Sequence, residues 1–197
     1  MTPFIQKVKA YCQELIQQSH CAKLPFHNWC HTANVVQNVI EIGSAEKIDR
    51  KELEFLIVAA YFHDTGHVAG SESHEEGSCS FAENFLKRNG YGQEGINTVL
   101  KIIRTTAMPQ NPQTKLQRII CDADLAHLGK PSFTDENRRL RLEWASHCDM
   151  RFSDREWVNM NIHFLELHDF KTSYGRINYN DQKNKNIRLL KDGGINQ

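Results

Sequence analysis

Ten histidines occur among the 197 residues, and His is both the commonest metal ligand and the side chain that titrates near neutrality. In Phe26-His27-Asn28-Trp29-Cys30-His31 two of them stand four residues apart, so a helix through this stretch would carry both on one face. Val35 continues that face toward the interior. A single His on an apolar face is ordinarily a core residue, so neither position carries weight alone.

The run Phe55-Leu56-Ile57-Val58-Ala59-Ala60-Tyr61-Phe62 leads into His63-Asp64-Thr65-Gly66-His67. It delivers a His and a carboxylate to the end of a buried helix, where a carboxylate is costly unless it is paired or bound to metal. The helix C-terminus favours a cation beside it, and Thr65-Gly66 lets the chain turn away. An Asp paired with an Arg, or serving as a cap, is the alternative. In Ile119-Ile120-Cys121-Asp122-Ala123-Asp124-Leu125 the two aspartates would point about 200° apart on a helix. Asp124 lies in the apolar row of Leu116 and Ile120, and Asp122 in the polar row of Arg118. Asp124 is therefore expected inside, and Asp122 in a surface ion pair of little worth. The inward set is His31, His63, Asp64 and Asp124, from three helices, with His27 a turn from His31. Two imidazoles and two carboxylates suit a divalent ion and leave positions for water; they exclude little among Mg, Mn, Fe, Co, Ni and Zn.

The elements that must carry these side chains read as helices throughout. Phe4, Val8, Tyr11 and Leu15, and again Val35, Val36, Val39 and Ile40, follow helical spacing. Residues 52–61 are apolar nearly all round, as in a central buried helix. Ser73-His74-Glu75-Glu76 has the pattern of a capping box opening a helix through Phe81, Phe85 and Leu86, stopped near Asn89-Gly90. Ile96, Val99, Leu100 and Ile103 predict the next, ended before Pro109 and Pro112, and Leu116, Ile119, Ile120 and Ala123 another. A charged helix over 135–147, an aromatic-rich one over 154–168 and a short one around Ile187-Leu190, closing before Gly193-Gly194, complete the chain, with 178–186 as a polar loop. Phe164, Leu165, Leu167, Phe170 and Tyr174 read as core or as pocket lining, with core favoured. With no alternating strand pattern and no repeat, the expected fold is a single all-α domain over 1–197, of about nine helices.

Lys+Arg and Asp+Glu balance at 24 each, with a net charge of +0. That removes the bulk electrostatic reason for a nucleic-acid or acidic-membrane partner. Hydrophobic residues at 40% and charged residues at 24% are globular values and exclude a disordered chain. The six cysteines form no Cys-x-x-Cys pair and read as free thiols of a reducing cytosol. Residues 1–7 lack a leader pattern, and the longest apolar run is far shorter than a membrane span. A cytoplasmic protein is expected, with a small molecule as its partner.

The order His31, His63-Asp64, Asp124 resembles the His…His-Asp…Asp signature of the HD-domain superfamily of metal-dependent phosphohydrolases, over roughly residues 20–130. Within it, Phe26-His27-Asn28-Trp29-Cys30-His31 is similar to the Tyr-His-Asn-x-x-His element of cyclic-nucleotide phosphodiesterases. The resemblance implies a helical HD bundle in which His31, His63, Asp64 and Asp124 hold one or two divalent ions. It implies hydrolysis of a phosphate ester of a nucleotide, monoester or diester, by a metal-activated water with His27 as general acid and Asp64 at the catalytic centre. His67 is similar to the second His of a His-Asp-x-x-His element, which contacts water at the metal. His74 resembles a His that some two-metal members supply to a second ion. Those members add a further His that Ile102-Ile103-Arg104-Thr105-Thr106-Ala107 lacks, which favours one firmly held ion. Lys101, Arg104, Lys130, Arg139 and Arg141 are candidates for the substrate phosphate by their nearness to the motif helices. The basic helix 138–144 would either close over an anionic substrate or, as favoured here, lie on the surface paired with Asp135, Glu136 and Glu143. Two other classes are a non-catalytic nucleotide-binding or signalling HD domain, and a di-iron oxygenase needing a richer second-metal set.

Overall fold

The apolar run of the sequence folds as α3, Arg50–Phe62, with every residue from Phe55 to Phe62 buried. The structure is a computed structural model that describes residues 2–69 and 73–193. Asp49 and Glu52 close a capping box at the start of α3, each side chain accepting the other's backbone N–H (2.8 and 3.0 Å). Around this rod lie α1 (Pro3–Gln17), α2 (Trp29–Ala45), α4 (His74–Arg88) and α5 (Gln93–Arg104), with α6 (Lys115–Asp124) against α2. Then follow α7 (Phe133–His147), α8 (Asp154–Leu167) and α9 (Ser173–Lys191). Single 3-10 turns occupy His20–Lys23, Thr65–Ala69 and Leu125–Gly129. The described residues contain nine α-helices and no strand, as the periodicity predicts. None of these helices is long and apolar enough to cross a membrane, and all six cysteines are free.

The turn after α3 is held tightly against α4. Ser78 Oγ donates to His63 O (2.6 Å) and accepts from Gly66 N (2.8 Å). A Cβ on Gly66 would come within 1.7 Å of His74 O, so this close approach of backbones requires glycine. Ser73 occupies the N-cap position of α4 but makes no side-chain capping bond there. The expected capping box is absent because Glu76 turns to Arg104, accepting from its Nε and Nη2 at 2.7 and 3.0 Å.

Three expectations about the later chain are corrected. Residues 178–186 are helical, inside α9, rather than a loop. The buried stripe Tyr179, Lys183, Asn186 and Leu190 keeps helical spacing. Its polar members are satisfied at a distance: Lys183 donates to His168 O, and Asn186 to Leu128 O and Lys130 O. Gly193 follows with a positive φ of 78°, as a stop signal should; Gly194 lies outside the described residues. Of the aromatic and apolar residues expected as core, Leu165 and Phe170 are buried, but Leu167 is 70% exposed.

The third correction concerns Asp122, which is fully buried rather than in a surface ion pair. Its carboxylate accepts from Lys171 N (2.7 Å), Thr172 N (2.8 Å) and Thr172 Oγ1 (2.6 Å), tying α6 to the start of α9. The helix face it shares with Arg118 is covered by a segment that local periodicity does not see. Asp122→Ala strands these buried donors and is expected to cost about 3 kcal/mol of unfolding free energy in urea. Metal content should stay at the wild-type level; a loss of metal without a loss of stability would contradict this assignment.

Candidate metal centre

Four donors from three helices converge at one end of α3. His31 comes from the first turn of α2, His63 and Asp64 from the end of α3, and Asp124 is the last residue of α6. His31 Nε2 lies 3.3 Å from Asp64 Oδ2 and 3.3 Å from Asp124 Oδ1. His63 Nε2 lies 3.0 Å from Asp64 Oδ2, 3.6 Å from Asp124 Oδ1 and 3.4 Å from His31 Nε2. His63 Nδ1 donates to Ala60 O (2.8 Å), which leaves Nε2 as the lone-pair atom of the neutral ring. Asp64 Oδ2 is buried without a hydrogen bond.

These distances suit a divalent ion. Donors about 2.1 Å from a common centre sit roughly 3.0–3.4 Å from one another. Without a cation between them, two carboxylates and two lone pairs would repel, so the rings take protons instead. Burial opposes charge on either ring, yet Asp124 and Asp64 outweigh it, raising His31 to about 9 and His63 well above its ordinary value. Burial would likewise raise Asp64 and Asp124, but the imidazoles hold both below the usual carboxylate range. The site demands positive charge, and its donor types and spacing fit a metal. His31, His63 and Asp124 form one group of mutually close donor atoms, and His27, Asp64 and His67 a second.

His27 is not on α2 with His31, as expected from the sequence. The helix starts at Trp29, because Asn28 is its N-cap, accepting from Cys30 N (2.8 Å) while donating to Leu24 O (2.8 Å). His27 nevertheless reaches the same cavity from the preceding loop, its ring 5.8 Å from that of His31. His67 lies between His27 and His74, at ring separations of 4.5 and 4.0 Å. Its Nε2 is buried without a partner, and burial lowers its pKa to about 4, leaving a neutral ring. His74 Nε2 sits 3.8 Å from Asp64 Oδ1 and 3.3 Å from Glu75.

The sequence missed Glu143. Expected in surface pairs, it is 4% exposed and accepts from His27 Nδ1 (2.5 Å), His27 N (2.9 Å) and Phe26 N (2.7 Å). Burial would raise this carboxyl, but the His27 contacts keep it low. A signal was available: the inward row Phe133, Asn137, Leu140 runs on to Glu143 by helical steps. His127, three residues after Asp124, was also passed over. It lines the cavity, its Nδ1 is 3.3 Å from Asp124 O, and burial lowers it to about 4.

The cations proposed for the phosphate do not line the cavity. Arg104 is in its exposed fork with Glu76, and Lys101 is exposed on the same turn of α5. Arg141 donates to Phe152 O, pairs with Asp154 (both 2.7 Å) and lies 5.9 Å over the Trp157 ring. Lys130 donates to Asn38 (2.6 Å), and Arg139 is beside Glu136 (3.7 Å). Helix α7 faces the cavity with Asn137, Leu140 and Trp144 rather than with arginines. The cavity measures about 760 Å³, with the His/Asp cluster on one wall and α7 and α8 on the other.

The profile of the family described as HD domain matches residues 28–129. No curated protein matches the chain. Among solved structures it is similar to one described as a predicted HD superfamily hydrolase, from an uncultured Thermotogales bacterium. That pair is 22% identical with a TM-score of 0.63, over 97% of this chain and 91% of that one. It is also similar to Bacillus subtilis YpgQ in complex with ADP, at 18% identity and a TM-score of 0.69, over 98% of this chain and 97% of that one. The selenomethionine form of YpgQ gives 17% and 0.68, over 96% and 93%. At such identities the likeness is one of fold.

Proposed function

The chain belongs to the HD-domain family, and from that premise we propose that it is a metal-dependent phosphohydrolase acting on a phosphate ester of a nucleotide. The observation that carries this reading is the buried Asp64 Oδ2, which accepts no hydrogen bond yet lies within 3.0–3.3 Å of two imidazole nitrogens. His31, His63, Asp64 and Asp124 would hold the ion. A divalent ion so held lowers the pKa of a coordinated water toward neutrality and polarises a phosphoryl oxygen. His67 and His74 would face water, or a second ion, on the Asp64 Oδ1 side.

With its Nδ1 engaged by Glu143, His27 keeps Nε2 for the substrate. In this reading Nε2 gives its proton to the departing oxygen, a step that commonly contributes about 10²–10⁴-fold. The Glu143 carboxylate fixes the ring and offsets its charge while Nε2 is protonated. The similarity of Phe26–His31 to the phosphodiesterase element keeps diesters, including cyclic ones, beside monoesters as substrates. The ADP held by YpgQ supports a small phosphorylated ligand.

The test is phosphate or nucleoside release from nucleoside mono-, di- and triphosphates and cyclic nucleotides. Metal-stripped protein would be re-supplied separately with Mn, Mg, Co, Ni, Fe and Zn. Turnover with at least one metal and one ester class, lost in His63→Ala, is the expected result. Silence across the panel from protein that binds metal would overturn the hydrolase reading.

A further inference from the structure

The two walls of the cavity differ in chemistry. On the metal side the ionisable lining consists of Asp64, Glu75, Asp124 and histidines, and no Lys or Arg is among the described lining residues. One divalent ion would balance Asp64 and Asp124, and Glu75, beside His74 Nε2 (3.3 Å), adds a third carboxylate to this side. Polyphosphate tails are ordinarily held by Arg forks or Lys, and Arg104 and Arg141 are engaged elsewhere, with Glu76 and Asp154.

The opposite wall is aromatic, with Phe133, Trp144, Trp157 and Phe164. Set into it are two buried amides locked by a chain of hydrogen bonds. Trp157 Nε1 donates to Asn137 Oδ1 (2.7 Å), Asn137 Nδ2 to Asn161 Oδ1 (2.5 Å), and Asn161 Nδ2 to Trp157 O (2.8 Å). Both amides line the cavity. Each amide nitrogen has two hydrogens and one such acceptor, so each retains an N–H for a ligand. An oriented pair of donors in an aromatic wall suits a flat ring with acceptor atoms on its edge.

We propose that this wall is a recognition subsite for an uncharged heteroaromatic group, read by Asn137 and Asn161, and that the substrate carries one phosphate rather than a di- or triphosphate. The second half rests on the phosphohydrolase reading above; the first half does not.

The subsite is tested with nucleosides, which carry no phosphate. Adenosine, guanosine, cytidine and uridine are titrated into the metal-loaded protein, followed by calorimetry and by the fluorescence of Trp144 and Trp157. Saturable binding of at least one nucleoside is expected, weakened tenfold or more in Asn161→Ala. No binding of any nucleoside would overturn the subsite. The charge argument is tested by comparing kcat/KM for the 5′-monophosphate and triphosphate of the nucleoside that binds, with a tenfold or greater preference for the monophosphate expected. Met108→Lys, which places a cation at an exposed position of the cavity lining away from α7 and α8, should narrow that preference at least fivefold. Trp144→Ala, at a half-buried position of the same wall, covers the case in which Asn161→Ala does not fold, and the same tenfold loss of nucleoside binding is expected by calorimetry. Equal or better turnover of the triphosphate by the native protein would overturn the single-phosphate inference. Nucleoside binding without hydrolysis of any ester would instead remove the phosphohydrolase reading and leave the subsite standing.

Discussion

Asp64→Ala is expected to strip the protein of its metal. Losing an outer-shell partner already costs metal sites about 10–100-fold in affinity, and Asp64 is proposed as a direct ligand, its Oδ2 3.0 Å from His63 Nε2 and 3.3 Å from His31 Nε2. The loss should exceed that range, and turnover should disappear with it. Metal per protein after gel filtration, read by mass spectrometry, is the direct measurement. An undiminished content would remove Asp64 from the ligand set. Asp122→Ala is the control, because that carboxylate spends its oxygens on Lys171 and Thr172. The same geometry sets a pH dependence. Protons and the ion compete for the Nε2 atoms, and in the metal-free protein His31 is raised to about 9. Metal affinity should therefore climb as pH rises toward about 9, and a flat profile between neutrality and that pH would contradict the site.

His27→Ala is expected to do the opposite, keeping the metal and losing the chemistry. As general acid, His27 should account for about 10²–10⁴ in kcat for esters whose leaving group needs a proton. Esters of 4-nitrophenol leave without one, so on them the variant should approach the native rate. An equal deficit on both kinds of ester would mean that His27 binds or orients substrate rather than protonating it. Glu143→Gln, which retains the shape and one of the two acceptor oxygens, should give a smaller loss with the same leaving-group dependence. Glu143→Ala additionally strands the buried backbone N–H groups of Phe26 and His27, at a cost of about 3 kcal/mol in stability.

Several features were legible without coordinates because they are local. An unbroken apolar run ending in His63-Asp64 reads as a buried helix presenting polar groups at its end, and α3 is that helix. The step of four from Ile120 to Asp124 placed that aspartate on the inward face of α6, and it does meet His31 and His63. Other features depended on chain that packs from far away. Asp122 reads as polar surface until residues 171–172 bring three donors to it. Glu143 reads as one more surface charge until its helix meets His27, 116 residues earlier in sequence. The polar stretch 178–186 reads as a loop because its buried Lys183 and Asn186 find acceptors on other elements. The arginines were placed near the phosphate by sequence proximity, and pairing with Glu76 and Asp154 turned them outward. Hydrophobic periodicity records which face of a helix is buried. A buried polar group is tolerated only where a distant partner satisfies it, and that partner is supplied by the tertiary structure alone.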